Sequence, residues 1–148
     1  MFIAVSSCAA NWGPDYNHLD LLPPNLLESA AFSCYSAPMT LSVCIITLNE
    51  EANIGRTLQS VQPLVADGKG EIILLDSGST DRTVEIAKSF GAKVFAEEWR
   101  GFAAQKNSAI DKASGDWILS LDGDEEVSSE LTKEISVALL DQLQREQR

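Results

Sequence analysis

The chain has 148 residues, of which 45% are hydrophobic, and this is enough apolar material for one compact domain of ordinary size. Its 22 acidic residues outnumber its 11 basic residues, and the formal net charge of -11 opposes non-specific binding to nucleic acid. A polyanionic ligand would therefore have to be bound locally, through backbone amides, a few cations and a metal ion. We expect one domain and no nucleic-acid partner.

The sequence argues against a zinc site, a histidine-based catalytic triad and a membrane span. Its cysteines lack CxxC spacing, and its single histidine is His18. Cys44 lies in an apolar run, where a reduced thiol behaves as a small hydrophobe, so we expect a reducing compartment. No apolar run approaches the roughly 20 residues that cross a bilayer, and the start lacks the basic segment of a signal peptide. We expect a cytoplasmic protein whose membrane contact is peripheral, at the inner face of the plasma membrane.

The first part of the chain differs in character from the rest. Pro14, Pro23 and Pro24 lie in a stretch without sustained periodicity, so residues 1–38 are predicted to be an irregular leader. From Met39 onward the sequence is typical of a natural protein start, and we expect the leader to be an upstream extension that is not translated. Residues 39–148 form the predicted domain.

Strands and helices are predicted to alternate from Leu41 onward. The short, β-branched run 41–47 is typical of a buried parallel strand. Asn49 is predicted to cap a helix that carries Glu50 and Glu51 in its first turn. Pro63 and Gly68 are predicted to end that helix, and strand 71–76 follows it. The next predicted helix starts in the turn 77–81 and stops at Gly91, and strand 92–96 comes after it. A helix with the stripe Phe102, Lys106, Ala109 and Ala113, strand 116–121 and an amphipathic helix from about Ser128 complete the prediction. This alternation predicts an α/β fold: an open, mostly parallel sheet with right-handed crossovers and helices on both faces.

Polar side chains follow three of the predicted strands, in segments 47–50, 76–79 and 122–124. Because the carboxyl ends of parallel strands share one edge of a sheet, these segments are expected to converge on one crevice. Asp122 and Asp124 lie one residue apart at such an end, and carboxylate oxygens are the ligands that hard divalent cations prefer. The pattern predicts metal-assisted handling of a phosphorylated substrate.

The same segments resemble a known family. TLNEEANI, LLDSGSTDRT and AAQKNSAIDKASGDWILSLDGDEE, in this order and spacing, are similar to the inverting glycosyltransferases of family 2, which have the Rossmann-like GT-A fold. The likeness is strongest to bacterial members that build lipopolysaccharide core or other envelope glycans, and it covers about residues 39–140. It implies transfer of a sugar from a nucleotide-diphosphate sugar, a UDP-sugar by preference, to a glycan or lipid-linked acceptor.

The resemblance implies roles for residues that follow the first two strands. Thr47, Asn49 and Glu50 match the family's first motif, at the nucleotide edge of the pocket. Asp76 matches the acid that accepts a hydrogen bond from a ring N–H of the base, and Ser77 follows in the same turn.

The resemblance also implies a metal site. Lys106 matches a basic residue that faces the nucleotide or its diphosphate. Asp122 and Asp124 match the DxD pair, the first towards the ribose and the metal, the second as a direct ligand of Mg²⁺ or Mn²⁺, which would act as a Lewis acid on the departing phosphates. The chain ends one helix later, where relatives continue, so the catalytic base is expected beyond its C-terminus. Glu125 and Glu126 are expected at the helix start or behind the metal ligands.

Other interpretations stay open. Asp76 could cap its own turn, the stem of Lys106 could cover apolar surface, and residues 122–126 could form a solvated acidic loop. The whole chain could be a truncated, non-catalytic relic that binds only nucleotide or a partner. A nucleotidyltransferase would need a glycine-rich basic loop after the first strand, where TLNEEANIGR is acidic. A sheet that ends after four strands would leave an edge unpaired, so self-association is expected.

Overall fold

The computed structural model describes residues 2–5 and 40–146, with side chains over residues 40–142. The described residues belong to one compact unit. In chain order its elements are strand β1 (Phe2–Val5), strand β2 (Leu41–Thr47), helix α1 (Ile54–Val65), a 3-10 turn (Ala66–Gly68), strand β3 (Gly70–Asp76), helix α2 (Thr83–Ser89), strand β4 (Lys93–Ala96), helix α3 (Phe102–Ile110), strand β5 (Trp117–Asp122) and helix α4 (Ser129–Glu146). The predicted alternation of strands and helices is confirmed. Among these helices, none combines the length and the apolar character that a bilayer span requires.

The strands form one sheet in the order β1-β5-β2-β3-β4. β2 pairs in parallel with β3 on one side and with β5 on the other, and β3 pairs in parallel with β4. The chain therefore leaves β2 towards β3 and later crosses back to place β5 on the opposite side of β2. Such a reversal is the topological switch point at which open α/β sheets bind their ligands, just outside the carboxyl ends of the strands.

Helices cover both faces of the sheet, as predicted. Alternate residues of β2 point to opposite faces: Val43 and Ile45 pack in the larger apolar cluster with α1 and α4, while Cys44 packs in the smaller one with Ala109 of α3. The Cys44 side chain is 1% exposed, and its Sγ donates to the Ala109 carbonyl at 3.6 Å. Burial, with a smaller contribution from the Glu71 carboxylate, raises the pKa of this thiol to about 12, so it is neutral and behaves as a small hydrophobe.

The first helix differs from its prediction at both ends. Asn49 does not cap it: α1 begins at Ile54, and its first turn contains no acidic residue. Asn49 instead has a left-handed backbone, with φ 55°, and its Oδ1 accepts the Thr80 N–H at 2.8 Å in another loop. A short polar side chain serves a neighbouring turn as readily as its own helix, and the sequence does not distinguish the two. At the other end, α1 continues through Pro63 to Val65.

The structure contains a strand that the sequence did not predict. β1 pairs antiparallel with β5, from Phe2 opposite Ser120 to Val5 opposite Trp117. Residues 1–38 are predicted to be an irregular leader, and this is wrong for residues 2–5; the rest of that segment lies outside the described residues. Because β1 supplies hydrogen-bond partners to the outer side of β5, the edge that the sequence left unpaired is covered.

A carboxylate joins four segments at the amino ends of the strands, on the side of the sheet away from the predicted site. Glu71 Oε1 accepts the Ser42 hydroxyl at 2.8 Å and both the N–H and the hydroxyl of Ser114 at 2.7 Å, and Lys93 Nζ lies 2.6 Å from Oε2. Partial burial raises the pKa of Glu71, but the hydrogen bonds from Lys93, Ser114 and Ser42 outweigh it and bring the pKa down to about 2.

We expect Glu71→Gln to lower the free energy of unfolding at pH 7 by about 2 kcal/mol, since it loses charged hydrogen bonds. A carboxyl group whose pKa falls from 4.5 to about 2 on folding stabilises the protein above its unfolded pKa, and this stabilisation is lost as the pH falls towards 2. The difference between variant and wild type should therefore shrink between pH 4.5 and pH 2. Urea denaturation across this range measures it.

Glu85→Gln is the matched control, because Glu85 forms an exposed ion pair with Arg82 at 3.4 Å. Its effect should stay within about 0.5 kcal/mol at any pH. Equal losses in the two variants at pH 7 would contradict the assignment of Glu71.

Candidate functional site

The structure brings the three predicted segments together at one edge of the sheet. The strand register places Thr47 opposite Asp76 and Ile46 opposite Asp122. The segment after β5 packs directly on the end of β2, because a β-carbon added to Gly123 would lie 2.8 Å from Thr47 Oγ1. This convergence is what the carboxyl ends of neighbouring parallel strands predict.

Hydrogen bonds join the loop after β2 to the loop after β3. The Asn49 N–H donates to Ser79 Oγ at 2.8 Å, its Oδ1 accepts the Thr80 N–H at 2.8 Å, and the Glu50 N–H donates to Thr83 Oγ1 at 2.8 Å. The predicted site residues Asn49 and Glu50 therefore hold the two loops in a fixed relation. Their contribution to a ligand site is first of all structural.

Asp76 is 3% exposed, and both of its carboxylate oxygens are engaged in the turn that follows it. Oδ2 accepts the N–H groups of Gly78 at 3.0 Å and Ser79 at 2.9 Å, and Oδ1 accepts the Ser79 hydroxyl. This is the turn-capping arrangement that Asp commonly forms. A bond from a nucleotide base to Asp76 stays a prediction, and it would have to be added to these contacts.

Ser77 and Gln105 form a second polar contact beside that turn. Gln105 of α3 is fully buried and donates from Nε2 to Ser77 Oγ at 2.9 Å. Its Oε1 is buried and has no hydrogen-bond partner among the described residues. No sequence pattern indicated Gln105, because it lies outside the predicted stripe of Phe102, Lys106, Ala109 and Ala113. That stripe differs from the buried face of α3: Phe102 is 65% exposed, and the buried positions are Gln105, Ser108 and Ala109.

Lys106 and Asp122 form an ion pair across the site. Lys106 Nζ of α3 lies 2.9 Å from Asp122 Oδ1 at the end of β5, with the two side chains 28% and 36% exposed. The backbone of the following turn is closed by Glu125, whose Oε2 accepts the Asp122 N–H at 2.9 Å and whose own N–H donates to the Asp122 carbonyl at 3.1 Å. The Lys106 ammonium therefore faces a site carboxylate, and Glu125 is engaged in closing the turn.

The turn after β5 is anchored to α1, while one of its carboxylates has no partner among the described residues. Thr57 Oγ1 donates to the Gly123 carbonyl at 2.9 Å, and the Val127 N–H donates to Ser60 Oγ at 3.0 Å. The exposed Asp124 carboxylate forms no hydrogen bond or ion pair with the described residues. Asp124 is thus a fixed position with an uncommitted anionic group.

The carboxylates of the site suit a metal ion that takes some of its ligands from the protein and the others from a bound substrate. Within residues 40–146 no three His, Cys, Asp or Glu side chains are grouped so that they could hold a metal ion by themselves. Asp122 and Asp124 supply two hard oxygen donors, and Mg²⁺ is commonly bound by one or two carboxylates together with substrate phosphates and water. The chemistry of these residues is compatible with Mg²⁺ or Mn²⁺.

The sequence model of glycosyl transferase family 2 matches residues 42–145, a span that contains every one of these site residues. The chain belongs to glycosyltransferase family 2. It is 47% identical over 104 residues to an uncharacterized glycosyltransferase of Rickettsia bellii, and the match covers 70% of this chain and 34% of that protein. It is 36% identical over 98 residues to the lipopolysaccharide core biosynthesis glycosyltransferase LpsC of Rhizobium meliloti, covering 63% of this chain and 34% of LpsC.

Solved structures of glycosyltransferases share the fold. The glucosyl-3-phosphoglycerate synthase of Mycobacterium tuberculosis, in complex with Mn²⁺, UDP and glucosyl-3-phosphoglycerate, superposes with a TM-score of 0.51 at 32% identity, covering 72% of this chain and 39% of the synthase. The predicted GT-A fold is confirmed. This family 2 chain spans about a third of the length of the curated relatives that it matches.

Thr47 and Thr57 provide a matched test of the site's polar contacts. Thr47 is 6% exposed and its hydroxyl has no partner among the described residues, whereas the fully buried Thr57 hydroxyl bonds the Gly123 carbonyl. We expect Thr47→Val to leave the free energy of unfolding unchanged or to raise it by about 0.5 kcal/mol, because it removes an unpaired buried hydroxyl. Thr57→Val should lower it by about 1–2 kcal/mol.

Chemical denaturation of the two variants beside the wild type measures these effects. An equal loss of stability in both would show that the Thr47 hydroxyl is satisfied in the folded protein, contrary to its environment in the structure.

Proposed function

We propose that this chain is the donor-binding part of an inverting glycosyltransferase that uses a nucleoside diphosphate sugar and a divalent metal ion. One observation carries the proposal: at the topological switch point, the Lys106–Asp122 ion pair and Asp124, which has no partner within the described part of the chain, lie at the same sheet edge as the buried Asp76. A cation and two carboxylates beside a buried acid suit a ligand that joins a base to a diphosphate.

Each group has a separate part in this proposal. The Lys106 ammonium offers charge-assisted hydrogen bonds to diphosphate oxygens. Asp76 accepts a bond from a ring N–H of the base, and Thr47, whose buried hydroxyl has no partner among the described residues, supports the nucleotide edge of the site. Asp122 and Asp124 would hold Mg²⁺ or Mn²⁺, which supplies Lewis-acid stabilisation to the diphosphate leaving group. We favour UDP because the M. tuberculosis synthase contains UDP with Mn²⁺.

The catalytic base is proposed to lie in the two thirds of the relatives' length that this chain does not span. Inversion requires a base that deprotonates the acceptor hydroxyl. Near the proposed metal ligands, Glu125 closes the turn after β5, and Glu126 pairs with Arg56 at 3.3 Å. These contacts also favour a second candidate, a chain that binds nucleotide without turnover.

The acceptor is proposed to be a glycan or a lipid-linked sugar of the cell envelope. This rests on the similarity to LpsC, whose name assigns it to lipopolysaccharide core biosynthesis. In this proposal the chain works on the cytoplasmic side of the plasma membrane, in peripheral contact with it.

Calorimetric titration of UDP, GDP and UDP-sugars into the 148-residue chain, with and without Mn²⁺, tests donor binding. We expect binding that depends on Mn²⁺ and that weakens roughly tenfold or more in Asp124→Asn, since a direct metal ligand is lost. Glu126→Gln changes the charge by the same amount in the same segment and should bind like the wild type. Absence of binding by a folded sample, or an equal loss in both variants, would refute the proposal.

Release of UDP from a UDP-sugar in the same samples tests the second candidate. Donor hydrolysis by the wild type that is lost in Asp124→Asn would exclude a chain that binds nucleotide without turnover. Binding without any UDP release agrees with both candidates, because the base is proposed to lie outside this chain.

A further inference from the structure

The Lys106 ammonium lies against a carboxylate oxygen of Asp122 that a metal ion could also bind. Its Nζ lies 2.9 Å from Asp122 Oδ1, and this oxygen is buried from solvent with no hydrogen bond from any other described group. A divalent ion that binds this oxygen must therefore approach the Lys106 ammonium at close range. Like charges at such a separation repel each other even in water, and they do so more strongly in a partly buried site.

This ion pair differs from the surface pairs of the chain. Both of its side chains are largely covered, whereas the Arg82–Glu85 pair has exposed fractions of 67% and 73%. Asp122 is also held in place through its backbone, because Glu125 accepts its N–H at 2.9 Å. The position of Asp122 is thus set by its backbone, and a metal ion that binds the same carboxylate oxygen competes with the Lys106 ammonium for it.

A diphosphate gives Lys106 another anionic partner. Its lysine side chain is long and flexible, and phosphate oxygens accept charge-assisted hydrogen bonds as well as a carboxylate does. Without a metal ion, the same diphosphate would meet the negative charges of Asp122 and Asp124. The diphosphate therefore draws Lys106 away from the metal ion, and the metal ion shields the diphosphate from Asp122 and Asp124.

We propose that Lys106 serves as a placeholder cation for Asp122, and that it transfers to the diphosphate on donor binding so that metal ion and nucleotide bind cooperatively. This inference rests on the proposed function and adds cooperativity to it: the chain binds its metal ion more tightly when the donor is bound as well. By linkage, the nucleotide raises the affinity for the metal ion by the same factor by which the metal ion raises the affinity for the nucleotide.

Mn²⁺ titration of the 148-residue chain, with free Mn²⁺ followed by electron paramagnetic resonance, tests this without measuring activity. The wild type should bind Mn²⁺ weakly alone and more tightly with UDP. Lys106→Met should bind Mn²⁺ alone roughly fivefold tighter or more, because a neighbouring positive charge is gone, and UDP should enhance its Mn²⁺ affinity less than in the wild type. Lys106→Arg keeps the charge and should retain weak Mn²⁺ binding in the absence of nucleotide.

Lys88→Met is the control for the change in net charge. Lys88 lies in the last turn of α2, towards the opposite edge of the sheet, and its removal should leave Mn²⁺ binding as in the wild type. Circular dichroism establishes that each variant is folded, and Lys106→Gln replaces Lys106→Met if the latter is not.

An unchanged affinity for Mn²⁺ alone in the folded, neutral Lys106 variant would overturn the inference. An undiminished enhancement by UDP in that variant would overturn it as well. Failure of the wild type to bind UDP in the presence of Mn²⁺ would instead count against the proposed function, and the comparison with Mn²⁺ alone would still decide whether Lys106 holds the metal position.

Discussion

The parallel pairing of β2 with β3 and β5 determines where the strand-end residues of the candidate site lie. All seven residues of β2 are buried, and the strand is hydrogen-bonded on both sides. Because successive side chains alternate between the faces of a sheet, a shift of one residue would exchange the side chains that pack in the two apolar clusters. The register that satisfies the core therefore also brings Thr47, Asp76 and Asp122 to one edge.

Basic residues lie at particular places in the fold, although the chain as a whole is acidic. Glu97 accepts hydrogen bonds from Lys112, Ser108 and Arg100. The bond from Lys112 contributes most to holding the pKa of Glu97 at about 2. Glu71 engages Lys93 in the same way at the amino ends of the strands. Several basic residues are thus committed to acidic partners within the fold, and Lys106 carries its positive charge at the proposed nucleotide site. An acidic protein can bind an anionic ligand in this way without attracting polyanions in general.

Much of the fold follows from sequence patterns because its strands are short apolar runs between clear turns. β2 is predicted at residues 41–47 and β3 within one residue of its start. β1 has no such signal, since a four-residue strand that pairs with a segment more than a hundred positions away depends on a contact that local patterns do not contain. The sheet edge that carries the site is likewise predictable, because topology alone brings the carboxyl ends of parallel strands together.

The individual contacts of the site are less predictable. Asn49 is a residue type that commonly caps helices, but its side chain accepts a hydrogen bond from the loop after β3. Hydrophobicity would predict a buried Phe102 and an exposed Gln105, but the aromatic side chain is exposed and the amide is buried. The Lys106–Asp122 ion pair joins a helix to a strand end across the sheet edge, and only the three-dimensional structure shows which carboxylate a lysine meets. These contacts depend on tertiary packing, which overrides local propensity.

The buried Cys44 thiol connects the interior of the sheet to α3, the helix that carries Lys106. Its Sγ bonds the Ala109 carbonyl, three residues further along that helix, and its thiolate form is suppressed by burial. A thiol reagent can reach Cys44 only when α3 separates from the sheet, because the side chain is 1% exposed. The rate at which a reagent labels this thiol therefore reports how often α3, the helix that carries Lys106, separates from the sheet.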